Sequence, residues 1–341
     1  MKITNLQIKD RMMKKMAALI IVIGMLCSFT SINKIHVAPK PAIRTIVIDP
    51  GHGGQFHGTR GLISKEEDVT LDIALKLGEA IKAEFPDIKV VYTRTVAGPV
   101  NNATTLKEDL HSRAQIANQA KGDLFISIHC DATPQPPGGY YAKRVIGHKQ
   151  KLEYVGKGKK RKKKMVTVPI YESYWVKNMR VGASVLIWKA EKSSNKMDAI
   201  NQTNEEGGGE FEDSTENASP EFDLNSPEAK IRAQLYEQKY FKKSAMFGQD
   251  IIDEFAKAGR TTLSVYQRDK GIQVLQATGM PSVLVETGYL TNKEEEEYLN
   301  SDKGQSEIAS NIVDAIKVYK QQLEGKHTDA SQPADTTKQQ Q

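Results

Sequence analysis

Three short apolar runs, each ending on a residue that can do chemistry, constrain this chain more than any other feature. The first is Thr45-Ile46-Val47-Ile48-Asp49, followed by Pro50-Gly51-His52-Gly53-Gly54. β-Branched residues in a row read as a buried strand of a parallel or mixed sheet. Pro50 cannot continue a ladder and the glycines let the backbone turn sharply, so His52 is delivered at the strand's carboxyl end. The second run, Asp123-Leu124-Phe125-Ile126-Ser127-Ile128, delivers His129 in the same way. The third, Ser282-Val283-Leu284-Val285, ends on Glu286. Open α/β sheets bind their ligands at such strand ends. Taken alone, the first run is equally a strand and a Gly-rich turn with an incidental histidine. Repetition turns it into a constellation. Two imidazoles and a carboxylate at one sheet edge suit a catalytic zinc site, which uses three protein ligands and keeps one position open.

These residues also carry a family resemblance. Asp49-Pro50-Gly51-His52-Gly53-Gly54, then Glu66-Glu67-Asp68-Val69, then Ser127-Ile128-His129-Cys130-Asp131-Ala132, then Val283-Leu284-Val285-Glu286-Thr287-Gly288-Tyr289 stand in an order and spacing that resemble the zinc-dependent N-acetylmuramoyl-L-alanine amidases, cell-wall hydrolases of amidase type 3. The resemblance is strong over roughly 43–132 and 260–322 and weak between. It implies that His52, Glu66 and His129 bind zinc and that Glu286 is the catalytic carboxylate. The family usually has lysine after the first acid, where this chain has Glu67; the position relative to Asp68-Val69 favours Glu66 as the ligand.

The implied reaction is hydrolysis of the amide between the lactyl group of N-acetylmuramic acid and L-alanine of the peptidoglycan stem peptide, in cell-wall remodelling or daughter-cell separation. Zinc makes water a strong nucleophile at neutral pH and polarises the carbonyl. Glu286 would take the proton and pass it to the leaving amine. The same chemistry would serve a zinc peptidase acting on the stem peptide. A non-catalytic envelope-binding protein of this fold would be expected to lack a ligand or Glu286, and this chain lacks neither.

The 341 residues suffice for one large domain with appendages. Residues 1–30 read as a signal peptide or N-terminal anchor: Lys2, Lys9, Arg11, Lys14 and Lys15 precede an apolar stretch over 16–29. The expected location is therefore beyond the inner membrane, periplasmic or associated with the envelope. With the signal removed, Cys130 is the remaining cysteine, so no intrachain disulfide is expected. Next to His129 on an alternating strand, Cys130 should point to the opposite face as a buried, inert thiol. Residues 31–43 read as a linker, 44–322 as the catalytic domain with an insertion over 134–223, and 323–341 as a disordered tail.

Strands alternating with helices predict a single twisted, mostly parallel sheet with helices on both faces. Helices are expected over 66–84, with Ser64 as N-cap and Glu67 completing a capping box; over 106–120, with Gly122 as C-cap; over 227–257, with Ser226 as N-cap and Pro227 at the first position; and over 305–321. In the third, Ile231, Leu235, Phe241, Ala245 and Ile252 should face the core. Strands are expected at 88–93, 182–188 and 272–276. Arg94 should lie near the sheet edge, and Arg113 reads as a solvent ion pair or a contact at the site. His57 reads as a surface-loop histidine.

The insertion holds Lys157-Gly158-Lys159-Lys160-Arg161-Lys162-Lys163-Lys164 between strand-like flanks, which predicts a β-hairpin with a charged tip. Such a block is first a solvated tip and second an attachment for an anionic envelope polymer, a glycan or lipid. Nucleic acid is not expected as a partner of a secreted protein, and a monomer is. Peptidoglycan is the expected substrate, with room for a protein activator. Residues 204–223, acidic and Gly-rich, read as a mobile loop, following a polar helix near 195–201.

Overall fold

The computed structural model describes residues 41–188, 227–267 and 272–325, together with Met12, Met13, Lys15 and Met16. Most of the amino-terminal apolar stretch, the polar helix near 195–201, the acidic segment 204–223 and the tail beyond 325 lie outside the described residues. Among the described residues no helix is long and apolar enough to cross a membrane. The chain divides into two compact units, Met1–Pro41 and Ala42–Gln341, and the second carries the fold.

Its strands are β1 (Thr45–Pro50), β2 (Lys89–Tyr92), β3 (Leu124–Asp131), β4 (Gly139–Val155), β5 (Lys162–Lys177), β6 (Ala183–Ile187), β7 (Thr262–Gln267) and β8 (Ser282–Tyr289). Its helices are α1 (Glu66–Glu84), α2 (Leu106–Gln119), α3 (Pro227–Lys257), α4 (Gln273–Gln276), α5 (Lys293–Leu299) and α6 (Asp302–Leu323). Six strands form one sheet in the order β2-β1-β3-β8-β6-β7. β1 runs parallel to β2 and β3, and β3 parallel to β8; β6 is antiparallel to β8 and parallel to β7. Helices α1 and α2 supply the long crossovers that parallel neighbours require.

The period of two along each strand builds two cores. Ile46, Ile48, Ile126, Ile128, Val283 and Val285 pack on one face with Leu77 of α1, Phe247 of α3 and Ile312 of α6. Val47, Phe125 and Leu284 pack on the other with Ala117 of α2, Leu275 of α4 and Trp188. The expected sheet with helices on both faces is the one observed.

Several local expectations are corrected. The run 272–276 folds as the turn of helix α4 rather than a strand, and β7 takes the sheet edge instead. A short apolar run cannot by its pattern distinguish a strand from a buried helical turn. Lys65, not Ser64, is the N-cap of α1, with no side-chain cap; the Ser64 hydroxyl donates instead to Glu296 Oε1 at 2.8 Å. After α2, Lys121 takes the left-handed conformation at φ 51°. Gly122 serves packing: a Cβ there would lie 2.7 Å from Met280 Sδ. In α3, Phe241 and Ala245 pack on the core and Ile252 is buried, but Leu235 is exposed. Tyr240 and Phe247 of that helix are buried as well.

The hairpin is much longer than its strand-like flanks at 151–155 and 165–171. β4 and β5 pair antiparallel from Gly139↔Lys177 out to Val155↔Lys162, with an irregularity between Val145 and Gly147.

Glu296 of α5 fixes the loop that leads into α1. It is 1% exposed and accepts the backbone N–H groups of Leu62 (2.8 Å), Ile63 (2.8 Å) and Ser64 (2.9 Å). Glu296→Ala leaves those donors without their carboxylate. It should lower the unfolding free energy by about 3 kcal/mol, measured by urea denaturation.

Candidate metal centre

The turn after β1 is held from below by buried charges. Asp49 is 1% exposed; its Oδ1 accepts from Thr93 Oγ1 at 2.5 Å and Arg113 Nη1 at 2.8 Å, and its Oδ2 accepts from Ser127 Oγ at 2.7 Å. Burial pushes the Asp49 carboxyl up, but the Arg113 charge and the hydrogen bonds from Ser127 and Thr93 hold it below the usual carboxylate range. Arg113 also donates to Asp109 (2.6 Å), Pro50 O (2.7 Å) and His52 O (2.5 Å). Arg94 donates to Pro50 O (3.0 Å), Gly51 O (2.8 Å) and Glu67 O (2.7 Å). Burial, with the neighbouring Arg113 cation, pulls Arg94 down to about 10, so it keeps its charge at neutral pH.

Two guanidiniums thus collect the carbonyls of three consecutive residues. They hold His52 at φ 64°, a conformation an L-residue adopts only at a cost of about 1–2 kcal/mol. Arg113 is a buried clamp at the site rather than a solvent ion pair.

On that turn three side chains meet. Glu66 is the first residue of α1 and is 3% exposed. Its Oε1 lies 3.1 Å from His52 Nε2 and 3.0 Å from His129 Nδ1. Cys130 N–H donates to the same oxygen at 3.1 Å, and Thr59 N–H donates to Oε2 at 2.8 Å. His52 Nδ1 lies 3.0 Å from Phe56 O, a contact that leaves Nε2 turned towards Glu66. One ligand atom from each of His52, Glu66 and His129 lies within 4.8 Å of the other two. Burial pushes the Glu66 carboxyl up, yet the hydrogen bonds from His129 and His52 outweigh it and hold the group far below its ordinary range. Two imidazoles and an ionised carboxylate at the mouth of a cleft are a donor set that could hold a metal ion.

Two glycines make room for the trio. A Cβ on Gly51 would lie 2.4 Å from His129 Nε2. One on Gly58, which sits at φ +67°, would lie 2.4 Å from Glu66 Oε2.

Glu286 lies opposite His129 in the β3–β8 register and is 7% exposed. It shares with His52, Glu66 and His129 a cleft of about 520 Å³, walled on its apolar side by Leu110, Ile272, Val274 and Leu284. Glu67 stands apart, its carboxylate 3.3 Å from Lys65 Nζ. His57 is exposed, with Nδ1 3.0 Å from Gly54 O, and is not part of the group. Cys130 packs in the core with Ile126 and Ile128, on the face opposite His129. Burial drives its thiol well above the ordinary value, so it is inert.

The model of the family described as N-acetylmuramoyl-L-alanine amidase matches residues 46–318. The chain belongs to this amidase family. Among similar proteins is the amidase AmiC of Escherichia coli, 26% identical over 280 residues, covering 80% of this chain and 52% of that protein. The germination-specific N-acetylmuramoyl-L-alanine amidase of Bacillus subtilis is 32% identical over 97 residues, covering 27% of this chain and 40% of its own. This amidase-family chain thus spans about half the length of the first relatives it matches. Among solved structures, the CwlD amidase from Clostridioides difficile, in complex with the GerS lipoprotein, aligns with a TM-score of 0.47 at 20% identity, covering 81% of this chain and 98% of that one.

Arg94 and Arg113, expected near the sheet edge and as a contact at the site, are supports of the turn; Asp49 and Asp109, the carboxylates that pair Arg113, were not expected there. Asp49 was a visible signal, a carboxylate ending an apolar run. So was the spacing of Asp109 and Arg113, four apart on one helix.

The two supports give two expectations. Asp49→Asn should cost about 3 kcal/mol or more at neutral pH by breaking the buried pair with Arg113. The folded carboxyl holds its proton less tightly than the unfolded one. Its contribution is therefore present above pH about 4 and lost as pH falls through the lower folded value. Asp49→Asn should accordingly flatten the acid loss of stability, read from urea melts across pH. Gly51→Ala should displace the His129 ring and weaken divalent-metal affinity by about tenfold or more, read by competition with a chromophoric chelator.

Proposed function

We propose that the chain is a zinc-dependent N-acetylmuramoyl-L-alanine amidase, cleaving the bond between the lactyl group of N-acetylmuramic acid and L-alanine of the stem peptide. The observation that carries this reading is the meeting of His52, Glu66 and His129, with Glu286 opposite His129 on the next strand. Membership of the amidase family supports the substrate class.

His52, Glu66 and His129 would hold the zinc. Zinc bound there supplies Lewis acidity at neutral pH, polarising a carbonyl and making water a strong nucleophile. Glu286 takes the proton from the attacking water on its carboxylate and returns it to the departing amine of alanine. The apolar wall of Leu110, Ile272, Val274 and Leu284 limits water on one side of the cleft. Glu66, as a ligand, would be held ionised by the metal itself and so would not compete for that proton. On this reading the chain works outside the cytoplasm, where peptidoglycan lies. Residues 1–30 act as its export signal or anchor, 44–322 as the catalytic domain, and a protein activator belongs to the same proposal.

The test is digestion of purified peptidoglycan, with released fragments identified by mass. Intact stem peptides with a free amino-terminal alanine are expected; cleavage within the stem would favour a peptidase. Chelator should abolish release and added zinc restore it. Glu286→Ala should retain metal by elemental analysis yet lose about 100-fold or more in rate. Full activity in that variant would remove its assigned role.

A further inference from the structure

The β4–β5 hairpin has no part in the chemistry above. It rises from the rim that carries His129 and Glu286: Gly138 N–H donates to Thr291 O at 2.9 Å, and Asn292 Nδ2 donates to Asn178 O at 2.9 Å. Beyond that base the two strands pair with each other for their full length, 17 and 16 residues, an arm of about 50 Å.

Residues paired across an antiparallel ladder share a face. The pairs Tyr141↔Trp175, Val145↔Tyr171 and Leu152↔Met165 therefore lie on one side, as does Tyr154. Each is about half exposed or more: Tyr141 72%, Trp175 51%, Leu152 52%, Met165 55% and Tyr154 57%. The pairs His148↔Pro169 and Gln150↔Thr167 lie between them on that side, so the apolar surface forms a basal group and a tip group, and the exposed tip group of Leu152, Tyr154 and Met165 calls for a partner.

The charge at its far end says which kind. Residues 157–164 hold seven cations, and from Tyr154 to Tyr171 there is no carboxylate. The Arg161 guanidinium and the Lys163 ammonium each lie 5.7 Å from the centre of the Tyr154 ring, so cations and apolar surface are interleaved. A soluble polyanion would use the cations but has nothing to offer Leu152 and Met165. A bilayer interface uses both, since anionic headgroups attract the cations while aromatic and aliphatic side chains enter the boundary below them.

We propose that the tip of this arm docks on an anionic lipid surface, with Leu152, Tyr154 and Met165 entering the interface and the cations of 157–164 on the headgroups. The proposal is independent of the amidase reading, because no residue of the metal centre takes part.

The experiment is co-sedimentation of the full chain with vesicles of phosphatidylcholine alone or with about one-third phosphatidylglycerol. The readout is the change in the ratio of the two affinities between the parent chain and variants of the arm, in which binding by the basic, apolar amino terminus is common to all. The parent chain should favour anionic vesicles by tenfold or more, less so at high salt. Lys162→Glu/Lys163→Glu/Lys164→Glu should lower that ratio by tenfold or more, each lost cation being worth about fivefold, and an unchanged ratio in this variant overturns the proposal. Leu152→Ser/Met165→Ser should reduce the ratio by about fivefold. Tyr154→Trp should report tip insertion by quenching with brominated lipid, against the parent chain as background. No preference in the parent, or no quenching in Tyr154→Trp, overturns the proposal. So does unaltered binding by the apolar pair with equal displacement of both proteins by polyphosphate, which would make the arm a polyanion site.

Discussion

One buried carboxylate, Asp49, joins the elements on which the site depends. It stands on β1 and bonds to Thr93 after β2, Ser127 on β3 and Arg113 on α2. A charge so deep is tolerable only when fully paired. The pairing does more than neutralise it, because Arg113 then has donors left for the carbonyls of Pro50 and His52. The left-handed histidine is held by this network rather than by its own preference. Site and core are therefore one hydrogen-bonded object, and the turn is pre-set before any ligand arrives.

Strand alternation does the rest. On β3, Phe125, Ser127 and His129 face one way while Ile126, Ile128 and Cys130 face the other. The first set runs from apolar packing through the Asp49 network to the candidate metal centre. The second is core throughout. β8 repeats the pattern with Leu284 leading to Glu286. Glu66 reaches the group from α1, whose inward face packs Val69, Ile73 and Leu77 on the sheet, so the carboxylate is anchored by a buried helix.

The parts of this arrangement legible in the sequence were those carried by adjacent residues. The apolar runs gave the parallel strands, and the side chains that end them are those the structure brings together. The boundaries of α1 followed from its helical spacing. What was illegible depended on partners distant along the chain. Arg113 could not be assigned to Asp49 across 64 residues. Glu295 and Glu296 sit in a run of four glutamates, and nothing in the run itself sets either apart. Yet Glu295 accepts from Gly182 N–H and Tyr289 N–H, and Glu296 holds the loop before α1. Pattern alone does not mark 262–267 as a strand or 272–276 as a helical turn, because short segments at a sheet edge are decided by tertiary packing.

The neighbourhood of His129 and Cys130 has a further consequence for how the chain reaches this state. A slip of β3 by one residue would carry the sulfur to the side of the candidate metal centre, and a thiolate is a good zinc ligand. Metal alone would then be a poor proofreader of threading. The safeguard is electrostatic: the slipped strand would strand Ser127 and an imidazole in the aliphatic layer and rob Asp49 of a donor. Fidelity of assembly at this centre is thus enforced by the insulated acid beneath it.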